Sequence, residues 1–75
     1  MSTDPVILDF RGYKCPLPVL KARKAMHGAA QGARFNIQVN DPKAPADFSD
    51  FCSVAGYALE SVTETDFGHE IHIKI

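Results

Sequence analysis

Two prolines separated by a single residue, Pro16 and Pro18, constrain this chain more tightly than any other feature of its 75 residues. Each fixes φ at about −65° and removes a backbone donor, so neither suits a helix interior or a central strand. At the start of a helix a proline is a signal rather than a breaker. The residues that follow are rich in helix formers as far as Met26, and Gly28 is a natural stop. Ahead of the prolines, residues 6–10 form a short apolar run that reads as a strand, which Gly12 breaks. The prolines therefore mark a strand-to-helix junction, and Cys15 stands on it.

Downstream, Phe35, Ile37 and Val39 alternate with polar residues, the period of a half-buried strand. Asn40-Asp41-Pro42 is a turn signal. Pro45 can open a second helix, in which Phe48, Phe51, Cys52 and Ala55 fall at i, i+3, i+4 and i+7 before Gly56 ends it. Residues 57–64 read as a third strand, Asp66-Phe67-Gly68 as a turn, and Ile71, Ile73 and Ile75 alternate in a fourth. The expected fold is α+β: a two-layer α/β sandwich in the order β-α-β-α-β-β. Its four-stranded mixed sheet carries both helices on one face, because crossovers favour that side and the terminal hairpin is antiparallel. A chain of this length implies one domain, residues 1–75.

Composition removes several function classes. A net charge of −1 argues against wholesale or sequence-specific nucleic-acid binding. Two cysteines cannot build the disulfide framework of a secreted mini-protein, and the polar Met1-Ser2-Thr3-Asp4-Pro5 opening does not read as a secretory leader, so none is expected. No apolar run approaches the ~20 residues of a membrane span, so no membrane insertion is expected. The expectation is a cytoplasmic protein with reduced thiols. His69 and His72, three apart on a strand, point to opposite faces and cannot chelate together. With His27 alone besides, no metal and no cofactor is expected.

The chemistry concentrates at Cys15. If Pro16 is the first helical residue, Cys15 is the N-cap, where partial positive charge and unpaired amides favour a thiolate. Pro16 and Pro18 have no N–H, which leaves Leu17 as the one donor in the first three positions, aimed at the sulfur. Five of the eight Lys and Arg residues, Arg11, Lys14, Lys21, Arg23 and Lys24, lie between positions 11 and 24, while seven of the nine acids lie between 41 and 70. Nearby cations would lower the thiol pKa further. A free cysteine is often buried, but Lys14 and a proline-pinned helix start are not apolar surroundings. Cys52, on the apolar stripe of the second helix, reads as core.

In helical projection Val19, Ala22 and Met26 share one face, with Pro18 and Ala25 at its border, and Leu17 and Leu20 fall on the other side with Lys21 and Lys24. Either the preceding segment covers the two leucines or they form a docking surface. Lys21 and Lys24 are a solvated helix face or a basic strip that steers an acidic partner.

The run Leu8-Asp9-Phe10-Arg11-Gly12-Tyr13-Lys14-Cys15-Pro16-Leu17-Pro18, continuing to Lys21 and Lys24, closely resembles the signature of the TusA/SirA-like sulfur-carrier family. Asp41-Pro42, Asp47-Phe48, Phe51-Cys52 and Gly56 match its second half. The resemblance implies the same β-α-β-α-β-β fold. It also implies a sulfurtransferase whose Cys15 takes sulfane sulfur as a persulfide from a donor protein, a cysteine desulfurase or a rhodanese-like enzyme, and passes it to an acceptor protein. Gly12 and the prolines would position the thiol; Asp41 and Arg23 match residues linked to transfer or partner contact. The tRNA-thiolation branch has Glu between the prolines where this chain has Leu17. That leaves tRNA thiolation, thiosulfate uptake, molybdenum-enzyme maturation and dissimilatory sulfur metabolism all open. A regulatory module that binds partners through Leu17, Leu20, Lys21 and Lys24, and a peroxide-sensing thiol, are the competing readings. Asp41 before Pro42 also fits a plain turn former.

Overall fold

The computed structural model describes residues 4–75; residues 1–3, part of the opening read as no secretory leader, lie outside them. The elements follow the expected order: β1 (Val6–Asp9), α1 (Leu17–Met26), β2 (Arg34–Val39), α2 (Ala44–Ala55), β3 (Ala58–Thr65) and β4 (Gly68–Lys74). The strands form one mixed sheet in the order β1-β2-β4-β3. β1 runs parallel to β2, as a helical crossover requires, and β4 lies antiparallel to both β2 and β3.

Period-2 patterning decides which face is covered. Phe35, Ile37 and Val39 of β2 pair with Ile73, Ile71 and His69 of β4, and the five apolar members of this set are buried on one face. Against them pack Pro18, Ala22 and Met26 of α1 and Ala44, Phe48 and Cys52 of α2, so both helices share that face. The i, i+4 spacing of each helical set gives the stripe that a sheet-covering helix needs. At roughly 25 cal/mol per Å² of apolar area removed from water, large side chains such as Phe48, Met26 and Ile37 supply most of the folding drive. The register sends His72, opposite Asn36, to the uncovered face and His69 to the other. On the uncovered face His72 Nε2 lies 3.0 Å from Glu70 Oε1.

Two glycines hold the connections that frame the site. Gly56 ends α2 with φ +78°, its N–H donating to the Cys52 carbonyl at 2.9 Å. Gly68 opens β4 with φ +146°, and a Cβ there would lie 2.5 Å from the Val39 carbonyl oxygen and 2.7 Å from the Asn40 Cα. The hairpin can therefore pass the end of β2 only without a side chain at this position. Among the described residues no helix is long and apolar enough to cross a membrane.

Candidate active site

Cys15 does not cap the helix. Residues 14–17 form a turn closed by the Leu17 N–H, which donates to the Lys14 carbonyl at 2.8 Å. Pro16 occupies the N-cap position, joined to Cys15 by a cis peptide, and α1 begins at Leu17 with Pro18 in its first turn. The first intrahelical bond runs from the Leu20 N–H to the Pro16 carbonyl at 3.2 Å. The expected geometry is thus displaced by one residue. The single amide expected to face the sulfur is instead spent on closing the turn, and Cys15 projects from the turn just outside the helix.

The thiol is fixed from the other helix. The Cys15 Sγ–H donates to Oδ2 of Asp47, 2.6 Å away, in the first turn of α2. Its backbone N–H donates to Oδ2 of Asp41, whose Oδ1 accepts the Lys43 N–H at 3.0 Å. Asp41 is therefore both the turn former and the tether, tying the loop before α1 to the loop before α2. Asn40 adds a second tie, its Oδ1 accepting the Gly12 N–H at 2.9 Å, while Gly12 itself holds φ +93°. These loops, far apart in sequence, are laced together by side chains of one short turn.

This setting reverses the electrostatics expected of the thiol. Its pKa is raised above the ordinary thiol range, first by the hydrogen bond to Asp47, then by partial desolvation and by the negative charges of Asp47 and Asp41; Lys43 offsets part of this. A thiolate here would lose its acceptor and face two carboxylates. Asp41 shifts the opposite way: the Lys43 and Cys15 amides hold its pKa below the usual carboxylate value, with help from the charges of Lys43 and Lys14.

The basic segment disperses on folding. Arg11 pairs with Asp9, Nε to Oδ1 at 2.9 Å, which pulls the Asp9 pKa down to about 2, and its guanidinium lies 5.2 Å from the Phe67 ring centre. Lys21 Nζ sits 4.6 Å from the Tyr13 ring centre. Arg23 and Lys24 line a separate depression with Leu20 and His27. None of these side chains reaches the sulfur, whose charged neighbours come from α2 and the loop before it. Leu17 and Leu20, 45% and 51% exposed, are not covered by the preceding segment. Cys52 is buried, as its stripe position predicts, and both thiols are free.

A groove of about 370 Å³ opens beside the thiol, lined by Cys15, Pro16 and Val19 on one side and by Asp47, Asp50, Phe51 and Val54 of α2. Pro16, Val19, Phe51 and Val54 make most of its wall apolar, and Asp47 and Asp50 are its acids. Sequence reasoning missed Asp47 as a partner of Cys15. An acid in the first turn of a helix reads as a complement to the helix dipole, and nothing local says that it faces a residue 32 positions away. Asn40 was visible only as a turn residue.

This arrangement has relatives. The family model described as sulfurtransferase TusA matches residues 6–75. The sulfur carrier protein TusA of Allochromatium vinosum is 32% identical over 68 residues, covering 91% of this chain and 87% of its own. A Neisseria meningitidis protein, whose name provisionally makes it a sulfur carrier, is 42% identical over 59 residues, covering 79% and 80%. The crystal structure of a SirA-like protein from Desulfitobacterium hafniense superposes with a TM-score of 0.80 at 25% identity, covering 92% of this chain and 95% of that one.

Proposed function

Because this chain belongs to the sulfurtransferase TusA family, we propose that Cys15 accepts sulfane sulfur as a persulfide and hands it to an acceptor protein. In loading, the Cys15 sulfur attacks the terminal sulfur of a donor persulfide and the donor leaves as its thiol. In unloading, an acceptor thiolate attacks the terminal sulfur on Cys15, and the Cys15 sulfur departs and regains its proton. The sulfane atom keeps its oxidation level throughout, so the relay needs no cofactor.

The observation that carries this reading is the placing of Cys15: a free, exposed thiol on a turn tethered by Asp41, in the wall of a largely apolar groove. A tethered turn beside the groove holds the nucleophile in place while leaving it open to a partner. The donor is a cysteine desulfurase or a rhodanese-like protein, and the acceptor serves tRNA thiolation or another sulfur-relay pathway. The relay belongs in the cytoplasm, where thiols stay reduced.

Intact-mass measurement tests the reading. After incubation with a cysteine desulfurase and cysteine, or with thiosulfate and a rhodanese, the protein gains sulfur in steps of about 32 Da. The gain disappears in Cys15→Ser and persists in Cys52→Ser. A second reading, a partner-binding module in which Cys15 is incidental, draws on the exposed Leu17 and Leu20 beside Lys24. No loading from any donor would favour it. Oxygen added by peroxide alone would favour a sensor.

A further inference from the structure

The contact between Cys15 and Asp47 is unexpected in a carrier. A nucleophilic cysteine is ordinarily surrounded by groups that favour the thiolate, yet the side chain nearest this sulfur is a carboxylate. Asp41 adds its charge but binds the backbone N–H groups of Cys15 and Lys43 rather than the sulfur. Asp47 offers its Oδ2 to the sulfur, and the ion pairs among the described residues do not include it. The charged groups that face the sulfur are Asp47 from α2 and Asp41 and Lys43 from the loop before it, so negative charge outweighs positive.

Resting on the persulfide reading above, we infer that Asp47 is a positioning residue that keeps Cys15 and its persulfide protonated, biasing the carrier toward giving sulfur away rather than taking it. A persulfide anion is a nucleophile, whereas a neutral persulfide is electrophilic at its terminal sulfur. The extra atom lies one S–S bond, about 2 Å, from Sγ, so its charge falls within the field of the same carboxylate. The step balances: R–S⁻ plus Cys15–S–SH gives R–S–SH plus Cys15–S⁻, which takes one proton from solvent and re-forms its bond to Asp47.

Two effects of Asp47 oppose each other in each half-reaction, and their sizes decide the outcome. Lowering the Cys15 pKa by one unit raises the thiolate fraction up to tenfold while intrinsic nucleophilicity falls with a slope of only about 0.4–0.5, a net gain of about threefold. Removing the Asp47 charge should therefore speed capture of sulfur. The same removal shifts the persulfide toward its anion by up to a decade per unit, which outweighs the easier departure of a more acidic Cys15. Release should slow. A merely structural role for Asp47 would change both rates in the same direction.

The test uses small reagents and needs no partner protein. Alkylation of Asp47→Asn by iodoacetamide, followed by intact mass from pH 6 to 10, should show its midpoint moved to lower pH and a rate at pH 7.5 about threefold or more above wild type. After loading with glutathione persulfide, the variant should discharge to reduced glutathione severalfold more slowly than wild type. Asp47→Glu should restore the wild-type order of both rates. An unchanged alkylation profile, or capture and release both slowed, would overturn the inference. If wild type takes up no sulfur but alkylates with the expected profile, the carrier reading fails and the masking of the thiol by Asp47 stands.

Discussion

Cys15 and Cys52 carry the same group in opposite surroundings, one exposed on a turn and one buried in the core, and both thiols are held above the ordinary pKa range. The causes differ. Cys52 is 2% exposed and desolvation alone raises it, so it behaves as a small hydrophobe among Ala44, Phe48 and the strands. Cys15 is exposed and is restrained chiefly by the Asp47 carboxylate. Burial cannot be undone without unfolding, whereas a hydrogen bond at the surface can be exchanged when another protein docks. Cys52 is inert by packing and Cys15 is checked by a removable contact.

The largest effect that could break this contrast is in loading. Cys15→Ser should abolish sulfur uptake while Cys52→Ser retains it, read by intact mass; uptake by Cys15→Ser would mean that the buried thiol is reachable. Next in size is stability. Cys52→Ser places a hydroxyl without a built partner in the core and should cost about 1–3 kcal/mol in urea unfolding, whereas Cys15→Ser should move the midpoint little. A third test concerns the surface beside the reactive thiol: Leu17→Glu should change severalfold which acceptor takes sulfur, yet leave loading nearly unaltered. Equal transfer to a panel of acceptors would remove Leu17 as a choosing residue.

The smallest effect concerns the tether. The folded state lowers the Asp41 pKa, so its contribution is complete above the unfolded value, about 3.9, and is lost as pH falls through the lower folded value. Asp41→Asn should flatten the decline of the urea midpoint below about pH 4. An unchanged acid limb would show that the Cys15 turn is held by something else.

The fold was legible because its signals are local. Alternation in β2, Phe48 and Cys52 on the apolar stripe of α2, Gly56 as a stop and the Asp66-Phe67-Gly68 turn each declare themselves within a few residues, although Ala55 of the expected stripe is exposed and Phe51 only half-buried. Boundaries moved by one residue where turn geometry intervened, as at Pro16 and at Ala44, which precedes Pro45. The chemistry of the thiol was less legible. Charge segregation along the chain suggested a basic site, but folding lays α1 against α2, and the acid of α2 reaches the sulfur while Arg11 and Lys21 turn to Asp9 and Tyr13. The electrostatics of Cys15 depend on a contact spanning 32 positions, which no local pattern encodes.

Gly68, pressed against the Val39 carbonyl and Asn40, has a practical consequence for anyone who labels or rebuilds this protein. Asn40 and Asp41 hold the reactive turn, so bulk introduced at position 68 would push on the residues that aim the thiol, although the hairpin lies outside the groove. A fluorophore or an inserted peptide is better carried at Val54, which is 91% exposed, if binding is to be reported, or at Glu64 on the exposed edge strand if it is to be left alone. The smallest residue of the last turn sets how much handling the site will tolerate.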